Sequence, residues 1–319
     1  MVPVKKVALL GKGLLGSAIL DQLVKSGFKV TVLSRKKSSS DESSADFSTV
    51  QVDYSSIDSL AAALQDHDAV VSTVGISGIS GQKIMIDASI QAGVRRFIPS
   101  DFGALTTRPG AESLPLNAPW IDVQAYLKEK ALSRDIEYTL FAVGPFLEFV
   151  MSMPFLADVM TQEVRLYDNG EHSFSSTSVL SIGKAVAGSL RNAEATKNRL
   201  VSVHDIVLTQ NKVLDLAKRY SAPDVNWNIT PVNAEAEVEN ILERIRTSGL
   251  DLLNTLALLK AALLGGKFEA EFKNLDNELV GLSTLSDDEF EKKFAVEFKS
   301  MATAMAEFQA KNDGTQGEA

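Results

Sequence analysis

Three short strings in this 319-residue chain have the residue types and spacing to do chemistry. Gly11-Lys12-Gly13-Leu14-Leu15-Gly16 has the pattern of a backbone cradle for phosphates. Gly11 permits a tight turn, Gly13 lets a pyrophosphate approach the backbone, and Gly16 lets a following helix pack on the preceding strand. Leu14 and Leu15 would open that helix, whose unpaired N–H groups and positive dipole end favour an anion. The second string is Ser34-Arg35-Lys36-Lys37. An acidic residue there would suit the ribose hydroxyls of NAD. A hydroxyl followed by three cations suits the 2′-phosphate of NADP, which a guanidinium can grip through two parallel hydrogen bonds. The plainer alternatives are a glycine-rich turn and a solvated basic turn. The third string, Tyr126-Leu127-Lys128-Glu129-Lys130, contains a Tyr-x-x-x-Lys spacing and side chains of types that can carry a proton.

These strings need a scaffold, and the first 150 residues supply its pattern. Strands are expected at Lys6–Leu10, Lys29–Ser34, Thr49–Val52, Ala69–Thr73, Arg96–Pro99 and Tyr138–Val143. Between them Ser17–Ser26, Ser56–Gln65, Gln82–Ala92 and Asp122–Ser133 carry apolar residues at helical spacing. Ile19, Leu20 and Leu23 would face the sheet. Such alternation means parallel strands with crossover helices, an α/β doubly wound sheet of Rossmann type. Ligand crevices in that architecture lie at the carboxyl ends of the strands. This places Asp53 and Tyr54 beside an adenine, and Thr73, Val74 and Gly75 along the dinucleotide.

Past residue 150 the rhythm changes, so residues 1–150 are expected as an NADP-binding domain and 151–310 as a smaller substrate-binding part. In the latter, Val164–Ser175 alternates around Asn169-Gly170, a hairpin signal. Helices are expected at Ser181–Arg191, Gln210–Tyr220 and Asn233–Thr247. Leu250–Leu264 reads as a buried or partner-facing helix, and Phe290, Phe294 and Phe298 as the core stripe of a closing one. Residues 38–46 read as a loop and 311–319 as a frayed tail.

Composition narrows the function. Residues 1–150 carry 15 basic and 16 acidic side chains, the remainder 17 and 25, for a formal charge of −9. That balance, with no concentrated basic face, argues against nucleic acid as a partner. No cysteine is present, excluding disulfides and thiol catalysis. His67, His172 and His204 are too scattered to suggest a metal site. No segment has the length and apolarity of a membrane span, so a cytoplasmic protein with a small-molecule substrate is expected, with homo-oligomerisation left open.

Val70-Val71-Ser72-Thr73-Val74-Gly75, then Gln82, Asp87-Ala88 and the run Ala92 to Gly103, resemble the isoflavone reductase-like branch of the NmrA-like family, atypical short-chain dehydrogenases. Within that run the Arg96-Phe97-Ile98-Pro99-Ser100-Asp101-Phe102-Gly103 block is the most specific part. Ile136-Glu137-Tyr138-Thr139 and Gly144-Pro145-Phe146 extend the likeness, which runs from residue 4 to about 220. The resemblance implies NADPH binding, cofactor contacts from Ser100, Phe102, Gly144 and Phe146, and reduction of a small aromatic or phenolic molecule. It also places the family's catalytic lysine at Gln124, which cannot supply a proton. Lys128 lies one helical turn on, and Gln124, Tyr126 and Lys128 form the candidate catalytic set. Tyr126 is roughly 200° around the helix from Gln124, so the Tyr-x-x-x-Lys spacing reads better as coincidence than as a dyad. Asp101 would hold its loop or act as an acid, and the structural role is favoured. Phe146, Phe149, Met151, Met153 and Phe155 would wall a pocket or fill core.

Three functions fit these residues. The first is a reductase delivering hydride from NADPH. The others are a non-redox enzyme retaining NADP as part of its pocket, motivated by Gln124, and an NADP-sensing regulator without turnover.

Overall fold

The computed structural model describes residues 3–35, 46–152 and 155–315. Lys36, Lys37, almost all of the expected loop 38–46, Met153 and the last four residues lie outside the described residues. In chain order the elements are β1 (Lys6–Leu10), α1 (Leu14–Lys25), β2 (Lys29–Ser34), β3 (Phe47–Gln51), α2 (Ile57–Leu64), β4 (Ala69–Ser72), α3 (Gln82–Gln91), β5 (Arg96–Ile98), β6 (Phe102–Gly103), α4 (Ala118–Leu132), β7 (Glu137–Ala142), α5 (Leu147–Ser152), β8 (Glu163–Tyr167), β9 (Phe174–Ser176), α6 (Val179–Arg191), β10 (Arg199–Ser202), β11 (Ile206–Leu208), α7 (Gln210–Tyr220), β12 (Asn228–Val232), α8 (Ala234–Ser248), α9 (Leu252–Leu264), α10 (Asn277–Val280) and α11 (Asp287–Thr315).

The chain divides into two compact units. The first runs to Gly144 and regains Thr177–His204 and Phe272–Ser283; the second takes Pro145–Ser176, Asp205–Glu271 and the chain from Thr284. A single break at residue 150 is therefore not the division observed. The reason is an open sheet edge: β7 would be left unpaired on one side, and β10 returns to cover it, Leu200 opposite Leu140.

The first unit is built on an eight-stranded sheet, ordered β10-β7-β5-β4-β1-β2-β3 with β6 also on β7, every pairing parallel. Both faces are covered, so its central strands are apolar throughout, Val7 to Leu10 and Ala69 to Val71 being fully buried. Ile19, Leu20 and Leu23 turn inward from α1, while Asp21 and Lys25 pair at 2.8 Å on the outside. α6 then packs on α1 closely enough that a Cβ on Gly183 would lie 2.7 Å from the Ala18 carbonyl oxygen. The register aligns Leu10 with Leu33 and with Ser72, which brings the ends of β1, β2 and β4 level. Whatever follows those three strands must share one edge.

In the second unit the expected hairpin does not form. β8 pairs in parallel with β12, and β9 pairs antiparallel with β11. Asp168, Asn169 and Gly170 all have positive φ, which turns the chain away from a return alongside β8. The buried Gln210 holds this arrangement, accepting from the Tyr167 N–H at 3.0 Å and donating to the Leu156 and Arg165 carbonyls. The phenylalanine stripe is core as expected: Phe290, Phe294 and Phe298 are buried, with ring centroids 6.1 and 5.7 Å apart. Residues 311–315, expected as tail, continue α11. In α9, Leu258 and Ala261–Leu264 are buried while Leu252 and Leu253 face outward.

Candidate active site

The glycine loop joins β1 to α1 at the shared edge. Gly11 has φ +96°, and a Cβ there would stand 3.0 Å from the Thr73 carbonyl oxygen. A Cβ on Gly16 would meet the Gly11 carbonyl oxygen at 2.5 Å. These two glycines are demanded by the fold itself. Gly13 is different: it is exposed, its φ is ordinary, and a Cβ would meet nothing within 4 Å. It is also the N-cap of α1, with no side-chain cap and no acidic residue in the first helical turn. Leu14 is exposed and Leu15 half-buried. The helix start is thus electropositive and open, which fits a pyrophosphate.

Thr73 seals the loop from below. Its Oγ1 lies 3.1 and 3.0 Å from the Leu10 and Gly11 carbonyl oxygens. Val74 follows, its carbonyl accepting from the Ser100 hydroxyl at 2.8 Å, and Gly75 leads into a helical turn, Ile76–Gly78. Thr73 and Ser100 therefore act through backbone anchoring.

A cleft of about 640 Å³ opens at the carboxyl ends of β2 and β3. Arg35, Asp53 and Tyr54 line it from one side, Ser77, Gly78 and Met85 from the other. Arg35 is exposed and Ser34 half-buried. Asp53 accepts from the backbone and hydroxyl of Ser55, which lower its carboxyl below the ordinary range. The Tyr54 hydroxyl donates to the Leu33 carbonyl at 2.7 Å, and burial pushes it up to about 12, so it stays neutral. Four stretches separated in sequence (11–16, 34–35, 53–54 and 73–75) thus converge.

The candidate catalytic set does not converge. Gln124 is buried, and its Nε2 donates to Asp101 Oδ2 at 2.7 Å and to the Thr106 carbonyl at 3.1 Å. Both amide hydrogens are thereby used. The Tyr126 hydroxyl donates to Asp87 at 2.5 Å, and burial, with Asp87, raises it to about 12. Lys130 Nζ lies 5.0 Å over the Tyr126 ring, so the Tyr-x-x-x-Lys pair meets face to cation and not at the hydroxyl. Lys128 is exposed. At about 100° per residue, positions 124, 126 and 128 of α4 leave the helix in different directions or at different heights.

Asp101 takes the structural role. It is 2% exposed, and its other oxygen accepts from the Thr106 hydroxyl at 2.5 Å, closing the loop after β5. Burial raises its carboxyl above the ordinary range, against both hydrogen bonds. Phe102 is buried against Phe141, and Gly144, two residues past β7, has φ +70°. Phe146 belongs to the second unit, stacked on the exposed Phe149 at 5.5 Å. Met151 is buried there as core and Phe155 is half-buried. Thr106 and Gln82 are structural partners that the sequence did not single out for a role. Gln82 is fully buried and accepts from the Ser100 N–H at 2.7 Å, while its Nε2 lacks a partner among the described residues.

The family model described as NAD(P)H-binding matches residues 11–193, which contain every one of these converging stretches. The chain belongs to this family. Oxidoreductase aprR of Aspergillus flavus is 30% identical over 266 residues, covering 82% of this chain and 88% of that protein. Among solved structures, an isoflavone reductase superposes with a TM-score of 0.71 at 20% identity, covering 91% of this chain and 99% of that one. AtPrR2, solved with NADP+ and (+)pinoresinol, superposes at 0.67 with 19% identity, covering 93% and 99%. The resemblance read from the Arg-Phe-Ile-Pro-Ser-Asp-Phe-Gly block holds in both sequence and fold. The chain is an NAD(P)H-dependent oxidoreductase of this family, and its fold is like that of the isoflavone reductase. Among the described residues, no helix is long and apolar enough to cross a membrane, and no cluster of side chains could hold a metal ion.

Proposed function

We propose that this oxidoreductase prefers NADPH and reduces a small aromatic or phenolic molecule. The observation that carries the reading is Arg35, exposed at the end of β2 on the rim of the cleft, where NAD-specific sites place a carboxylate. In this reading the N-terminus of α1 above Gly13 receives the pyrophosphate, Arg35 pairs with the 2′-phosphate, and Asp53 and Tyr54 flank the adenine. Bound NADPH supplies a hydride from its nicotinamide ring. Thr73 and Ser100 hold the loops at the sheet edge in place. Gln124 is assigned to positioning, because its amide is spent on Asp101 and Thr106 and has no proton to give.

Support for an aromatic substrate comes from the Phe146–Phe149 stack, whose outer ring stays exposed. An exposed aromatic face is a ready surface for an aromatic ligand. Calorimetric titration with NADPH and NADH tests the nucleotide half: equal affinities would overturn it. Deuterium placed on nicotinamide C4 should appear in the product of a turned-over phenolic substrate. Product without label would overturn the redox half.

A further inference from the structure

The second unit contains a cation with unusual company. α9 carries Lys260 into a half-buried position beside Leu258 and Ala261, both buried. Its Nζ lies 6.0 Å from the ring centroid of Phe155 and 5.8 Å from that of Tyr167. Among the described residues no carboxylate stands within 4.0 Å of it. Arg165 also lies over the Tyr167 ring, 5.7 Å from its centroid, and is paired with Glu237 at 3.0 Å. Asp158 is the acidic neighbour, but its Oδ1 already accepts from the Met160 and Thr161 N–H groups. Burial first, then the like charge of Arg165, lowers the Lys260 ammonium to about 8.

The fold holds the aromatic floor of this cluster rigidly. Tyr167 is fully buried, its N–H bonded to Gln210. The residues after it, Asp168 and Asn169, both adopt positive φ, a conformation non-glycine residues take only when their surroundings impose it. Here the Asp168 carboxylate accepts from the Ala234 N–H at 3.0 Å, and Asn211 donates to the Asn169 carbonyl at 2.8 Å. An ammonium that lacks a carboxylate, backed by the buried Tyr167 ring and flanked by the half-buried Phe155 ring, makes a site for an anion attached to a ring. The anion meets the charge, and the ring packs on Phe155.

We infer that Lys260, Phe155 and Tyr167 form a subsite in the second unit for the anionic end of an aromatic substrate. The inference deepens the aromatic-substrate reading above and rests on it for the word substrate. The competing account is that the two rings are themselves the lysine's only partners, a purely structural cation–π cluster.

Benzoate is the probe, and benzyl alcohol its uncharged control. The full chain is labelled with trinitrobenzenesulfonate near pH 8, which attacks neutral amines, and labelled lysines are mapped by mass spectrometry. Benzoate should slow labelling at Lys260 several-fold and leave the exposed Lys128 unaffected, while benzyl alcohol should change neither. Equilibrium dialysis should show that Lys260→Met weakens benzoate binding about tenfold, the worth of one charge-assisted contact, whereas Lys260→Arg retains it. Circular dichroism checks that both variants fold. If Lys260→Met does not, Lys260→Arg and the protection pattern decide. Equal protection by the two compounds, absent protection, or undiminished benzoate binding by folded Lys260→Met would overturn the subsite. NADPH titration of the same samples reports separately on the dinucleotide reading, since neither labelling nor dialysis needs nucleotide or turnover.

Discussion

The amide of Gln124 donates to the carboxylate of Asp101 at 2.7 Å, with both groups buried. The position where the family resemblance puts a lysine is thus occupied by a neutral donor that satisfies an acid. A lysine there would face the same carboxylate as an ion pair. Glutamine keeps the hydrogen bond and gives up the charge.

This pair sets a pH-dependent stability. Burial raises the Asp101 carboxyl, so its protonated form is favoured on folding. The associated stability is present at low pH and lost as pH rises through the folded-state value. Gln124→Leu removes one of the two donors that offset that cost. The loss should be about 1–3 kcal/mol at a pH high enough to ionise the carboxyl, where the acceptor is left short of a partner. It should shrink as the pH falls and the carboxyl takes up its proton. Urea denaturation across a pH series checks this, and a loss independent of pH would count against it.

Arg35→Ala should weaken NADPH by about 1–3 kcal/mol, a charge-assisted contact, and leave NADH nearly unchanged. Isothermal titration of both nucleotides measures the difference. A similar drop for both would mean that Arg35 shapes the cleft without reading the phosphate.

The loop glycines should separate into two classes. Gly13→Val meets only open space and an ordinary φ, so the variant should fold with unaltered melting while losing dinucleotide binding. Gly16→Ala drives a Cβ to 2.5 Å from a backbone carbonyl that cannot swing aside. It should lose stability, by about 1–3 kcal/mol, as overpacked sites do. Thermal melts beside fluorescence titration distinguish the two.

Lys128 is exposed, so Lys128→Met should leave turnover within about twofold, far from the 10²–10⁴-fold that a positioned acid is worth. Tyr126→Phe should cost about 0.5–1.5 kcal/mol of stability by losing its bond to Asp87, again with turnover kept. Steady-state rates of both variants, measured with whichever phenolic substrate the parent reduces, test the reassignment of α4 from catalysis to structure.

Much of the first unit follows from local order along the chain. A strand, a glycine loop and a helix are contiguous, so sequence alone determined the β1–α1 turn, the parallel sheet and the cation at the end of β2. Helix faces such as Ile19, Leu20 and Leu23, or Phe290, Phe294 and Phe298, follow from periodicity for the same reason. Tertiary structure decided what depends on partners distant in sequence. The Asn169-Gly170 signal was genuine as a turn, yet β8 chose β12, some sixty residues away, because strand pairing is settled by which edges are available and not by the turn between them. The return of residues 177–204 to the sheet is likewise a matter of an edge needing a partner. The roles on α4 depended on facing groups: Asp101 for Gln124, Asp87 for Tyr126, and solvent for Lys128. A side chain's identity states what it can donate or accept. Only the packed fold supplies the group at the other end of the bond.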